Sequence, residues 1–303
     1  MYHSYISNFR KFIFLNLLIV ALIGLIIDYL FLNHIILKTK SLPAYKYYRM
    51  LNENNENEIP IFGSSRAGGS YVPSLISQDV FNYGMDGSNF CSILFLLDKE
   101  LDKDKESDVI INFDLDGLFF SKEPPFKVIP IYKEAKYIID AENIFYNVPF
   151  VRFFGSYLYY IRFYLRTHLL FTQLYDGGGL FKIQKKSKIK FQQEIELRKQ
   201  TYRNFENNQD VIKKLFDMIS KTDRKIWFII APYHASFLDN LSDNSKKETK
   251  RFMHEIKKFG NVEFLDYRTL FSESEDYFFD TTHITYEGAK AFSKIIKNRL
   301  KEN

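Results

Sequence analysis

The sequence predicts an α/β fold with a five-stranded parallel sheet in the order 2-1-3-4-5, preceded by one membrane-spanning helix. Three observations lead there. A long apolar segment opens the chain, short runs apolar at nearly every position recur after it, and helical patterns alternate with those runs. Strands buried on both faces lose the polar alternation of a half-exposed sheet, so they read as continuous apolar runs. Strand and helix in alternation imply a doubly wound sheet covered by helices on both sides.

The opening segment, Phe12 to Leu32, reads FIFLNLLIVALIGLIIDYLFL. A bilayer needs roughly 20 apolar residues in a helix, and this segment supplies them. Asn16 and Asp28 interrupt it near its ends, where a polar group can reach the interface. No small-x-small cleavage site follows, so an uncleaved single-pass anchor is expected. Arg10 and Lys11 precede the span, and Lys38, Lys40, Lys46 and Arg49 follow it. That count favours a cytoplasmic C-terminal domain, although long domains translocate largely regardless of charge. Residues 1–37 are thus expected to form a stub and anchor. Residues 38–58 are expected to be a linker that ends in the polar, extended stretch Asn52–Glu58, and 59–303 the globular unit.

Within that unit the predicted strands are Ile59–Phe62, Val80–Tyr83, Val109–Phe113, Ile226–Ala231 and Val262–Leu265. Ser88 is a plausible N-cap for a helix through Leu101, with Ile93, Leu94 and Leu97 on one face. Lys246 to Lys258 reads as an exposed amphipathic helix carrying Phe252 and Ile256. Thr285 can cap a final helix on which Ala289, Phe292, Ile296 and Leu300 recur at helical spacing. The stretch from the third strand to the fourth is too long for one crossover, so an insertion is expected at about 121–224. It is rich in Phe and Tyr interleaved with Arg152, Arg162 and Arg166. A turn at Asp176–Gly179 and the lysines 182, 185, 186, 188 and 190 follow. Such a segment suits a helical cap with an aromatic core, or a lid that rests on a membrane or grips an anionic substrate.

Composition narrows the function classes. The formal charge of +5 is spread along the 303 residues and does not argue for a nucleic-acid partner. Aromatic residues make up 17%, which suits a large core or a surface near lipid. Cys91 is the single cysteine, so neither an intramolecular disulfide nor a cysteine-based zinc site can form. No Asp/Glu/His cluster has metal-ligand spacing and no phosphate-binding glycine loop occurs, so neither metal nor cofactor is expected.

Ligands of open α/β sheets sit at the carboxyl ends of the strands. Ser65 falls just past the first predicted strand, Gly87 past the second, Asp114 at the end of the third and His234 past the fourth. Asp280 and His283 follow the fifth. A serine hydroxyl becomes a nucleophile when a histidine takes its proton, and that histidine needs a carboxylate to orient it. Ser65, His283 and Asp280 supply these parts on one sheet edge. A turn serine bonding its own backbone and an aspartate capping a helix are the structural alternatives. His234 is either a substrate ligand, a rival base or a structural loop histidine.

Ile-Phe-Gly63-Ser64-Ser65-Arg66 near the start and Asp280-Thr-Thr-His283 near the end resemble the serine and Asp-x-x-His blocks of the SGNH (GDSL-like) hydrolase superfamily. The Gly-Ser-Ser variant is similar to membrane-associated bacterial envelope proteins that transfer or remove acyl groups. The resemblance covers roughly 59–120 and 225–300. It implies a flavodoxin-like three-layer fold, Ser65 as nucleophile, His283 as base and Asp280 as its orienting partner. Asn82-Tyr-Gly84-Met-Asp-Gly87-Ser88 resembles the second block, which implies an oxyanion hole from the N–H groups of Gly87 and Ser65. The third block departs: no residue between Ile111 and Leu118 reproduces Gly-x-Asn-Asp, and an ionised Asp114 cannot donate to an oxyanion. Arg66, Asp114 and His234 are left as substrate-binding candidates, with Asp114 alternatively holding Arg66. The implied activity is a serine esterase or O-acyltransferase acting on envelope polysaccharide or polymer. A domain facing outward and a membrane-bound acyltransferase among the partners go with it. A degenerate scaffold that binds rather than reacts is the alternative that the third block favours.

Overall fold

The computed structural model describes residues 2–88, 90–115, 157–169, 173–182 and 209–302. The expectations placed on Asp116 to Leu118, and on most of the insertion at 121–224, lie outside the described residues.

Helix α1 (Tyr2–Phe31) runs without a break and continues into a π-helical turn at Leu32–Ile36. Together Phe9–Ile36 form a 28-residue helical stretch long and apolar enough to cross a membrane; its most apolar window has mean hydropathy 2.5, and most side chains before Phe31 are exposed. Asn16 satisfies itself within the helix by donating to Phe12 O at 2.7 Å. Asp28 does not reach outward as expected, because it is buried against the protein.

The stretch expected as a linker contains a packed helix. Pro43, whose fixed φ and missing N–H suit a first helical position, opens α2 (Pro43–Asn52). Ala44, Tyr47 and Met50 enter the core beneath the sheet. Arg49 pairs with Glu58, which also accepts from Tyr83 Oη at 2.7 Å, so the segment is tied to the sheet at both ends. Asn52–Glu58 is accordingly not one extended strand: Asn52 ends the helix and a turn precedes Glu58.

The main sheet contains β1 (Ile59–Phe62), β2 (Val80–Asn82), β3 (Val109–Asn112), β6 (Ile226–Ile230) and β7 (Val262–Asp266), all parallel. Its order is β2-β1-β3-β6-β7. The expected order 2-1-3-4-5 is thereby changed in chain numbering, because the insertion contributes an antiparallel hairpin, β4 (Gln173–Asp176) and β5 (Gly179–Lys182), as a second sheet. The hairpin lies along the free edge of β2, where Asn82 N–H donates to Gly177 O at 2.7 Å.

Strand pleating sorts the core into two layers. Phe62, Val109, Ile111, Phe228 and Ile230 point to one face. There they meet α2, α5 (Phe90–Leu101), α7 (Gln209–Ile219) and α9 (Asp243–Ile256). Ile61, Ile110, Trp227 and Ile229 point to the other, against α3 (Ser65–Ser70), α4 (Pro73–Ile76) and α10 (Tyr286–Lys301). On α9, Phe252 and Ile256 are buried as the amphipathic spacing predicts. Thr285 caps α10, its hydroxyl oxygen accepting from Gly288 N–H at 3.2 Å. The Ser88 hydroxyl donates to Met85 O at 2.8 Å, with Gly63 O also near, at 3.1 Å; the cap expected of it leads into Asn89, outside the described residues.

Candidate active site

The five main strands are parallel, so their carboxyl ends share one edge, and each loop leaving that edge carries part of one cluster. Beyond β1 the chain turns at Gly63 and enters α3 at Ser65. Ser64 stands at the N-cap with its Oγ accepting from Arg66 N–H at 3.2 Å. Ser65 is therefore the first residue of the helix, and its N–H belongs to the first turn, which has no intrahelical acceptor.

Ser65 Oγ lies 2.9 Å from His283 Nε2. On the far side of the ring, Nδ1 is 2.9 Å from Asp280 Oδ1 and 3.0 Å from Oδ2. A carboxylate only accepts, so the proton between these two sits on Nδ1 and the lone pair of Nε2 faces the serine. Asp280 is nearly sealed from solvent, while His283 keeps 17% of its side chain exposed. Asp280 Oδ1 also accepts the backbone N–H of Thr282 at 3.0 Å and of His283 at 2.8 Å. The aspartate thus fixes the turn that carries the histidine as well as the ring itself. This set can move a proton from the serine hydroxyl to the imidazole and stabilise the cation that results.

Arg66 and Asp114, expected as substrate-binding candidates, are instead committed to the protein. Arg66 is 4% exposed. Its Nε donates to Thr282 O at 2.8 Å, Nη1 to Asp114 Oδ1 at 2.8 Å, and Nη2 to both Ala231 O and Pro232 O at 2.8 Å. Its plane lies over the Tyr233 ring at 3.4 Å. Asp114 in turn accepts from Asn112 Nδ2 at 2.8 Å and from the Ser64 hydroxyl. One guanidinium therefore clamps three loops, including the one bearing Asp280 and His283. His234 also has a local task. Its Nδ1 accepts from Ser236 N–H at 3.2 Å and caps α8 (Ala235–Asp239), its ring edge meets Phe278, and burial pushes its pKa down.

The loop after β2 carries Gly84 and Gly87. A Cβ on Gly84 would come 2.3 Å from Gly68 N and 2.7 Å from Ala67 Cβ, so only glycine lets this loop lie directly on α3. Gly87 has φ +73, a left-handed conformation that side chains disfavour, and it is exposed on the site edge. Beneath the loop, Lys46 of α2 is 1% exposed and donates its ammonium to Gly84 O. Burial pulls this lysine down to about 7, opposed by the Asp86 charge. Sequence inspection missed Lys46 because α2 was hidden in the supposed linker, although Leu42-Pro43 marked a helix start. Ser64 and Thr282 were missed as well, their contributions being a hydroxyl and a carbonyl that no motif distinguishes. Among the described residues no group of His, Cys, Asp and Glu could hold a metal ion.

A family model that carries no functional description matches residues 168–303. No curated protein matches the chain. Among solved structures, one described as that of "a putative platelet activating factor from Streptococcus pneumonia" aligns over 90% of this chain and 97% of its own, at 14% identity and a TM-score of 0.42. Fold and site together define an α/β protein with one apolar N-terminal helix and a Ser65–His283–Asp280 hydrogen-bonded array at the carboxyl edge of its sheet.

Proposed function

We propose that this chain is a membrane-anchored, SGNH-like serine acyl hydrolase or acyltransferase that acts on O-acyl groups of a cell-envelope polysaccharide or polymer. The observation that carries the reading is the continuous line from Ser65 Oγ through His283 to buried Asp280. In it Ser65 Oγ attacks the acyl carbonyl while His283 Nε2 takes its proton. The oxyanion accepts from the N–H groups of Ser65 and Gly87. His283 then returns the proton to the departing alcohol, leaving an acyl-serine. Water or an acceptor hydroxyl completes the cycle by attacking that ester, with His283 again the base.

Arg66 and Asp114 act here as positioning residues, holding the Thr282 carbonyl and hence the turn of His283. Counted over the main sheet alone, its five strands run 2-1-3-4-5, which supports the flavodoxin-like reading of the fold. The exposed apolar helix α1 supports the anchor, and the proposed activity places the domain outside the cytoplasm, where envelope polymer and a membrane-bound acyltransferase partner are available.

A second reading, a scaffold that binds polymer without reacting, is favoured by one observation. Asp114, nearest to the missing third-block asparagine, is consumed by Ser64, Arg66 and Asn112, so the described residues of that loop offer no side-chain donor to an oxyanion. Turnover of a chromogenic acetyl ester by the detergent-solubilised full chain, compared with Ser65→Ala, separates the two. Hydrolysis lost with the serine supports the enzyme. Equal rates in both proteins contradict it.

A further inference from the structure

We infer that helix α6 (Tyr157–His168), together with the adjoining strand β4, is a membrane-contact platform that lies on an anionic phospholipid surface beside the root of α1. The inference rests on the reading of α1 as a membrane anchor.

A helix on the surface of a soluble domain turns its apolar residues inward. Part of α6 does so, since Tyr160 and Thr167 are buried. Its outward face is nevertheless apolar. Leu158 is 68% exposed, Tyr159 53%, and Leu169, just beyond the helix, 62%, with Leu165 between them. Arg162 and Arg166, both exposed, share this face. Leucines and a tyrosine with interspersed arginines make up the chemistry of a helix lying in the headgroup region. There the rings and aliphatic chains enter the acyl boundary, while guanidinium groups reach anionic phosphates.

Position favours the same occupant. The inner face of α6 packs on the place where α1 enters the folded domain. Tyr160 meets Phe31 at a ring separation of 6.1 Å, and His168 Nε2 lies 3.4 Å from Thr39 Oγ1. Helix α6 therefore adjoins the end of a helix that is long enough to span a bilayer, with its apolar face turned away from the folded domain. Strand β4 extends the surface with Tyr175, which is 40% exposed and whose ring lies 5.5 Å from that of His168. The hairpin to which β4 belongs also touches the active-site layer. Asp176 accepts from Ser74 N–H at 2.8 Å, and Leu180 O lies against Gly69 of α3. Contact with lipid would thus set the height and tilt of the Ser65 edge above the membrane.

The test uses the full chain in a Cys91→Ser background, reconstituted in vesicles of phosphatidylcholine and phosphatidylglycerol. A small fluorophore is attached to Leu165→Cys or Leu169→Cys, to Leu22→Cys within α1, and to Lys258→Cys just beyond the end of α9. Lipids carrying a shallow nitroxide should strongly reduce emission at positions 165 and 169, and lipids carrying a nitroxide deep in the acyl chain should do so at position 22. Aqueous iodide should affect them little, and position 258 should show the reverse. Iodide quenching at 165 and 169, with lipid quenching confined to 22, would overturn the platform and leave the anchor standing. Protection from both quenchers would mean that protein, a second copy included, covers the face, and would also overturn it. Absence of lipid quenching at 22 would remove the anchor and the platform with it.

Discussion

Ser65 and His283 stand 218 positions apart in the chain, yet Ser65 Oγ lies 2.9 Å from His283 Nε2. The serine is placed by the turn from β1 into α3, and the histidine by the carboxylate of Asp280 on its own turn and by buried Arg66, which reaches across from α3 to the Thr282 carbonyl.

Removing members of this array should therefore show unequal costs. Ser65→Ala and His283→Ala are each expected to lower turnover of an acyl ester by roughly 10⁶-fold, and their combination by little more, because the groups act as a unit. Asp280→Ala should cost less, roughly 10⁴-fold. Steady-state rates of the three single variants and the Ser65/His283 double variant check the ordering.

Arg66 offers a test of positioning. Arg66→Met leaves Asp114 buried without its cation and is expected to destabilise the fold by about 3–5 kcal/mol. Arg66→Lys keeps the charge but cannot reach three carbonyls and a carboxylate at once. It should retain the fold while lowering kcat more than it raises KM. Denaturant unfolding and steady-state kinetics on both variants distinguish the two losses.

At the opposite edge of the sheet, Glu100 is fully buried between Arg224 at 2.9 Å and Lys105 at 3.2 Å. Glu100→Ala strands two buried cations and should also cost about 3–5 kcal/mol. This cluster joins the segments before β3 and β6, away from the carboxyl ends. At a temperature where the variant remains folded, its specific activity should match the wild type.

Lys46 predicts a pH dependence. Its folded-state pKa is drawn down to about 7 by burial, against a usual lysine value of 10.5. Between these values the unfolded chain binds a proton that the folded chain has lost, so stability rises with pH. The rise is at most about 1.4 kcal/mol per pH unit from this group. Lys46→Met should remove it, which is seen as a smaller difference between unfolding free energies at pH 7 and pH 9. An identical difference in the two proteins would contradict the burial of a neutral amine.

Much of this arrangement was legible in the chain. Val109–Asn112 and Ile226–Ile230 are buried at every position, so their continuous apolar character reported strands covered on both faces. Thr285 announced α10 through its capping hydroxyl, and Gly-Ser-Ser and Asp-x-x-His marked the site because those residue types are scarce together at strand ends. Other parts were not legible for physical reasons. The hairpin at Gln173–Lys182 has strands of only four residues each, too short for periodicity to register, although Asp176-Gly177 is a hairpin signal. Helix α2 was masked by the acidic run after it. The pairing of Arg66 with Asp114 was among the readings of the sequence and is present. The rest of the Arg66 clamp was not legible, because its other acceptors are backbone carbonyls, which every residue carries.

Everything proposed for this site depends on Ser65 being an activated nucleophile. The most direct measurement is mass-spectrometric mapping of the adduct formed when the solubilised full chain reacts with a fluorophosphonate. The array predicts phosphonylation at Ser65 alone, lost in Ser65→Ala and strongly slowed in His283→Ala. A folded wild-type protein that remains unlabelled, or whose adduct maps to another residue, would mean that Ser65 is not an activated nucleophile.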